Sequence, residues 1–479
     1  MIHMTKFPRT FWVADMLELV ERWAWYGFFM LFANYLTGSS DLGGLEFTQS
    51  QKGLLMGVGT GILYFLPVLT GAIADRYGYK KVLFLAFCIY VTAFIFMPMF
   101  HSFTGVFIMY LYLAVGAALF KPIVSATVSK TTDDSNASVG FGIYYMMVNI
   151  GAFIGPMVTL LFKGTSHMIF YASAAVIALN FILLLFYKEP PREEQQEKES
   201  LGKALGGIFR NMGGIFKDVK FLIFLLIIAG FWTMYHQLFF TLPVFISQWV
   251  DTHVLYDFFA VNIPFISEHY SVSAGVLDPE FITNMDSLCI IIFQVLVSSI
   301  VMKMRPLRSM TSGFLVCSIG MALTLFSQNV LYTMAAILIF SFGEMAGSPK
   351  ITEYIGRSIA PANKKALYIG YSFIPFFIGN IFAGIISGTV YQHLSDKVTM
   401  TQQFVAERGY SIADGLSTNA YFNEAASKAG MTPQQLTDYL WQNNHPSNIW
   451  LVILAIGIIS VIALLLYDLI TSRKLKTHE

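Results

Sequence analysis

The chain has 479 residues, of which 56% are hydrophobic, 16% aromatic and only 12% charged. That composition excludes a soluble globular fold of this size and leaves length for about twelve membrane spans. With a formal net charge of +1 there is no basic excess to bind nucleic acid, so the positions of the charges carry the information.

Stretches of about 20 apolar residues predict helices near 11–36, 50–74, 81–100, 104–129, 138–161 and 168–187. A second set follows near 221–250, 283–302, 307–327, 330–355, 364–388 and 448–471. The expected fold is all-α, with twelve transmembrane helices in two six-helix bundles. Of the 30 Lys and Arg, 22 fall at the termini and in the loops after even-numbered spans, five in the alternate loops, and Arg22, Lys121 and Lys350 inside spans. The positive-inside bias therefore places both termini in the cytoplasm. Lys6 and Arg9 precede no short apolar core with a small-residue cleavage site, so the first span is expected to be retained.

That span carries Glu18, Glu21 and Arg22. Each ionisable side chain near the centre of a spanning helix costs roughly 2.5–3.5 kcal/mol, so three within five residues point to a polar cavity where a substrate or proton moves. At about 100° per residue, Asp15, Glu18, Arg22, Trp25 and Tyr26 share a face about 100° wide, with Glu21 at its edge.

Between the second and third spans stands Gly71-Ala-Ile-Ala-Asp75-Arg76-Tyr-Gly78-Tyr-Lys80-Lys81, in which Asp75 and the bases can bridge helix ends. The fourth span contains Gly116-Ala-Ala-Leu-Phe-Lys121-Pro122, and its proline frees a carbonyl one turn back. With a 1.5 Å rise, Glu18 and Lys121 each lie about 12 Å from the cytoplasmic ends of their spans, and Glu344 roughly 16 Å from that of the tenth. The fifth span reads Tyr144-Tyr145-Met-Met-Val-Asn149-Ile-Gly151. A charge-dense segment, 188–220, divides residues 1–187 from 221–479 and reads as a cytoplasmic linker ending in an amphipathic surface helix.

In the seventh span, His236 is near the midplane and is either an extra proton or substrate group or a neutral histidine satisfied by a neighbouring carbonyl. Two outer segments are long, 251–282 and 392–447. In the second, Thr432-Pro433-Gln434-Gln435 predicts a capping box with proline at the first helical position, and Gly430 ends a helix from about Asn419. Cys88, Cys289 and Cys317 are spaced for neither a metal site nor disulfides. No nucleophile with its base is visible, so no enzyme, metal or cofactor is expected.

The Gly71–Lys81 run resembles the loop signature of the major facilitator superfamily. The first-span run resembles the Glu-x-x-Glu-Arg-x-x-Tyr-Tyr-Gly motif of its proton-dependent oligopeptide transporter family, with Trp25 in place of the first Tyr. The Lys121-Pro122 and Tyr145-to-Gly151 elements are similar to the family's, as are Phe231-Trp232, Asn284, Glu344 and Ser348-Pro349. This resemblance implies a monomeric, proton-driven importer of di- and tripeptides or related small zwitterions, resident in a bacterial inner membrane and powered by the proton gradient alone. It assigns substrate binding to Tyr26, Tyr64, Lys121, Asn149, Trp232, Asn284 and Glu344, and proton handling to Glu18, Glu21 and Arg22. Lys121 and Glu344 would form an inner gate, while Asp75 and Arg76 serve gating. Two departures stand out: Phe29 replaces an arginine and His236 a glutamate that the family pairs at the outer gate, so closure there must use other contacts. A proton-coupled antiporter expelling drugs or metabolites, and a ligand-binding sensor that moves nothing, are the alternatives.

Overall fold

The computed structural model describes residues 7–476 apart from 134–135, 163–165, 192–200, 216, 362–367 and 369. The central part of the expected linker, 192–200, thus lies outside the described residues. Ten described helices are long and apolar enough to cross a membrane, and the pair α2 (Gln49–Phe65) and α3 (Pro67–Tyr77), bent by 42°, supplies an eleventh span. The bend falls at Pro67, which cannot donate the N–H that would continue α2. α1 (Arg9–Thr37) has the length of a span at 29 residues and falls outside that count because it carries Asp15, Glu18, Glu21 and Arg22. With α1 and the bent pair, the described residues supply twelve segments of spanning length, the number expected.

α4 (Tyr79–Phe96), α5 (Phe103–Lys130), α6 (Ala137–Leu160) and α7 (Ser166–Phe186) follow. The short helix α8 (Leu201–Ile215) occupies the predicted amphipathic stretch and packs beside α3. The seventh span is broken into α9 (Val219–Tyr235), α10 (Gln237–Phe240) and α11 (Leu242–Trp249), with Pro243 at the start of the last. The first outer segment holds α12 (His253–Asn262), α13 (Pro264–His269), an antiparallel hairpin of β1 (Ser271–Ser273) and β2 (Val276–Leu277), and α14 (Pro279–Thr283). α15 (Met285–Val301), α16 (Pro306–Ala322), α17 (Val330–Tyr354) and α18 (Phe373–Ile385) are spans, and α18 runs through a π-helical turn into α19 (Tyr391–Leu394). The second outer segment folds as α20 (Lys397–Arg408), α21 (Thr418–Lys428) and α22 (Pro433–Asn444), before the last span α23 (Ile449–Lys476). The predicted Thr432/Gln435 capping box is present, and Gly430 has φ +68 just beyond α21.

The chain divides into two compact units. One comprises Met1–Phe29, Gly59–Leu225 and Ile359–Phe377; the other comprises Met30–Val58, Leu226–Ser358 and Ile378–Glu479. Lipid is as apolar as leucine, so helices here associate through close packing at small residues rather than by escaping water. In the first unit Gly151 and Gly155 on α6 meet α1, and a Cβ on Gly151 would lie 2.5 Å from the Leu19 carbonyl oxygen. In the second, Gly313 on α16 meets Gly343 and Gly347 on α17, and Phe231 stacks on Phe314 at 3.6 Å. α15 shows the division of labour along one helix: Ile292, Val295, Leu296 and Ile300 form an exposed stripe for lipid, while Asp286, Ile290, Val297 and Val301 are buried.

Candidate functional site

In the first unit, α1 turns its polar stripe inward, and Glu18, Glu21 and Arg22 are all buried. The Arg22 guanidinium bridges both acids, with Nε 3.3 Å from Glu18 Oε1 and Nη2 2.5 Å from Glu21 Oε2. Tyr90 of α4 donates its hydroxyl to Glu21, and Tyr144 of α6 donates to Glu18. Lys121 of α5 interacts electrostatically with both acids, and its Nζ sits 4.6 Å from the centre of the Tyr64 ring. Two cations and two anions are thereby gathered from two helices, which offsets much of the cost of burying each alone. Tyr26 lies 5.9 Å from the Arg22 Cζ, and Asn149 Nδ2 donates to the Tyr145 carbonyl of its own helix at 2.8 Å.

The motif residues that carry no charge have mechanical reasons. Pro122 cannot donate to the Ala118 carbonyl, and Thr70 Oγ1 of α3 takes that acceptor at 2.6 Å, so α5 continues to Lys130 around its proline. Gly151 lets α6 approach α1 beside Arg22. In the Gly71–Lys81 loop, Asp75 accepts the Tyr79 hydroxyl at 2.9 Å, while the Tyr79 amide donates to Glu189 at 2.8 Å. Arg76 lies 5.8 Å from the Tyr77 ring, and Gly78 has φ +99, a turn that a side chain would strain.

The second unit holds Trp232, His236, Asn284 and Glu344, and the Tyr235 ring packs against Trp232 and His236. Tyr235 donates to Glu344 Oε1 at 2.8 Å, and Glu344 Oε2 has no hydrogen-bond partner among the described residues. Asn284 caps α15 and is fully buried. His236 Nδ1 is 2.7 Å from the Trp232 carbonyl of its own helix. Sequence reasoning missed Asp286, buried two residues beyond Asn284, whose carboxylate accepts Ser341 Oγ at 2.6 Å. Ser341 stands one turn before Glu344 on α17, so Asp286 and Glu344 act on one another electrostatically. Its signal was the one that singled out Glu18: an acid inside a predicted span.

The outer end of α1 and the start of α2, residues 30–58, also belong to the second unit. Phe29 stacks on Trp25 at 5.3 Å, and the contacts that replace the family's ion pair lie beyond it. Asn34 Nδ2 donates to Glu280 at 2.7 Å and to the Pro243 carbonyl at 3.2 Å. Lys52 is fully buried and donates to the Phe240 carbonyl at 2.9 Å, at the break between α10 and α11. Gln49 donates to Asp396 at 3.2 Å. Gly53 and Gly57 pack against Gly384 and Gly388, where a Cβ on Gly53 would fall 2.2 Å from the Gly384 carbonyl. Glu46 accepts hydrogen bonds from Ser40 and from the Thr418 amide at the start of α21, and Asn419 reaches Ser39 and Asp41. No group of three or more His, Cys, Asp or Glu able to hold a metal occurs among the described residues.

A family model described as Major Facilitator Superfamily matches residues 17–249. The uncharacterised transporter YclF of Bacillus subtilis (strain 168) is 28% identical over 37% of this chain and 37% of its own. A di-/tripeptide transporter of Lactococcus lactis subsp. lactis (strain IL1403) is 24% identical over 36% of this chain and 34% of its own. The chain thus spans little more than a third of the length of these two relatives. A Na(+), Li(+), K(+)/H(+) antiporter of Planococcus maritimus is 24% identical over 74% of this chain and 91% of its own. A solved POT family transporter in complex with 5-aminolevulinic acid shares the fold at a TM-score of 0.70 and 16% identity, over 98% of this chain and 96% of that one. These proteins are transporters, not enzymes. The shared fold, the model match over residues 17–249 and the residues from Glu18 to Gly151 converge: the chain is similar to the major facilitator superfamily and carries motifs that resemble those of its proton-dependent oligopeptide transporter branch.

Proposed function

We propose that this protein is a proton-coupled symporter that imports di- and tripeptides or related small zwitterions by alternating access. The observation that carries the reading is that one buried cluster holds a lysine beside a tyrosine ring, and the other holds two acids hydrogen-bonded to Tyr235 and Ser341 rather than to a cation. Lys121 in the first unit offers a cation for a carboxylate, and Glu344 with Asp286 in the second offers anions for an amine. Amide-bearing Asn149 and Asn284, with Tyr26, Tyr64 and Trp232, would serve the peptide backbone and side chains. Glu18, Glu21 and Arg22 would handle the proton: protonating Glu18 weakens its bridge to Arg22 and frees Lys121 for ligand. In this scheme Lys121 and Glu344 gate the inner side, and Asp75 and Arg76 steady the cytoplasmic turn. His236, whose Nδ1 is held by the Trp232 carbonyl, would take part in proton traffic through Nε2. Both termini face the cytoplasm of a bacterial inner membrane, the working unit is a monomer, and the proton gradient is the energy source.

The test is uptake of a labelled dipeptide into proteoliposomes with an imposed pH gradient, with peptides, amino acids and amines as competitors. Gradient-dependent uptake that yields only to di- and tripeptides supports the reading. Alkali cation efflux driven by protons, with no peptide uptake, would overturn it in favour of an antiporter, a second reading that the 91% coverage of the Planococcus maritimus protein keeps in view.

A further inference from the structure

Asp15 is a buried acid to which the proton scheme above gives no task. It lies on α1 one turn before Glu18 and has no exposed surface. Neither of its carboxylate oxygens has a hydrogen-bond partner among the described residues. The charged group acting on it electrostatically is Glu18, three residues on, and among the described residues no ionisable group of a neighbouring helix joins it. Beyond Glu18, Arg22 is already shared between Glu18 and Glu21. On the α7 side the polar contact is Asn180 Nδ2 donating to the Leu17 carbonyl, which carries no charge.

An ionised carboxylate held here would have no donor among the described residues and would face a like charge, a costly arrangement for a buried anion. The neutral acid avoids both penalties. Placement adds a direction. With a 1.5 Å rise, Asp15 stands about 9 Å from the start of α1 and about 4.5 Å along the axis from Glu18, between the cytoplasmic end and the Arg22 bridge.

We propose that Asp15 is a proton-relay residue that carries the coupling proton from Glu18 to the cytoplasmic side. The inference rests on the proton-coupled reading. In the relay, the Asp15 O–H bond breaks and its proton leaves to cytoplasmic water. The resulting carboxylate then takes the proton of the Glu18 carboxyl, which returns ionised to Arg22. One proton reaches the cytoplasm, Asp15 ends protonated as it began, and Glu18 is left ionised until it takes the next proton from the outer side.

The experiment combines infrared difference spectroscopy of the full chain in proteoliposomes, in light and heavy water, with uptake and exchange assays. The expected result is a carbonyl stretch of a protonated buried acid that persists in Glu18→Gln and vanishes in Asp15→Asn. Gradient-driven uptake should fall by about tenfold or more in Asp15→Asn, while gradient-free exchange falls much less, and Asp15→Glu should restore part of the uptake. A band unchanged in Asp15→Asn, or unaltered gradient-driven uptake, overturns the relay. If Asp15→Asn loses exchange too, recovery of uptake in Asp15→Glu supports it and lack of recovery overturns it. Should the wild type move no peptide, the symporter reading fails by itself. The infrared arm still decides whether Asp15 holds a proton, and absence of its band overturns this proposal separately.

Discussion

Glu46 occupies left-handed backbone at φ +55 without being glycine, a conformation that costs on the order of 1–3 kcal/mol unless its surroundings enforce it. The hydrogen bonds from Ser40 and Thr418 supply that enforcement. Burial alone would raise its carboxyl, but the Ser40 and Thr418 amides and the Ser39 and Ser40 hydroxyls outweigh it and hold Glu46 below the ordinary glutamate range. A depressed folded value contributes stability that is complete above the ordinary value and lost as pH falls through the lowered one. Glu46→Gln should therefore speed amide exchange at Thr418 and Asn419 several-fold near neutral pH, with the difference from wild type closing in acid. Equal exchange at neutral pH would leave Glu46 no part in tying the first outer loop to α21. In the second unit, Asp286→Asn removes one of two neighbouring negative charges. Affinity for competitors with an amine should drop by about tenfold, a change of 1.4 kcal/mol, and more for cationic than for zwitterionic ones. Competition binding at constant pH reads this, and equal losses for both classes would remove Asp286 from charge recognition.

At the scale of elements, glycine stripes set how closely helices meet, and the backbone leaves little room for correction. Gly53→Ala would drive a Cβ into the Gly384 carbonyl and the Gly388 backbone, so α2 and α18 must part. Overpacking of this kind costs roughly 1–3 kcal/mol. Lys52→Met acts at the same junction chemically, leaving the buried Phe240 carbonyl without its donor at a cost of about 1–3 kcal/mol. Both should raise the rate at which a membrane-impermeant maleimide labels a cysteine placed at Ser50, whose amide now donates to Gln392. Labelling no faster than in the parent would mean that the outer end of α2 does not depend on these contacts. Gly151→Ala tests the corresponding approach in the first unit and should lower thermal stability through the α1–α6 contact, measured as the midpoint of unfolding in detergent.

For the whole molecule, coupling requires that binding and protonation change which arrangement is favoured. Among the described residues, Lys121→Ala leaves Arg22 as the one cation acting on Glu18, and it removes the proposed partner for a substrate carboxylate. Gradient-driven uptake should fall by about 100-fold or more, some 2.7 kcal/mol by the usual conversion. Uptake within a factor of two of wild type would take Lys121 out of the mechanism.

The sequence by itself determined the class of protein, the number of spans and most of the charged residues that end up buried, because an ion in lipid is costly enough to be conspicuous in any apolar stretch. It also determined the Thr432 capping box, a local pattern that depends on four consecutive residues. Contacts between residues far apart in the chain left no such mark. That the Ala118 carbonyl freed by Pro122 is taken by Thr70, that Lys52 reaches the Phe240 carbonyl, and that Asp286 faces Glu344 through Ser341 became visible only once the helices were packed. The same holds for Asp15, whose place on the polar stripe was plain while its lack of a donor among the described residues was not. Periodicity and insertion cost act along one helix, whereas hydrogen-bond satisfaction is settled between helices, and only the tertiary structure decides that.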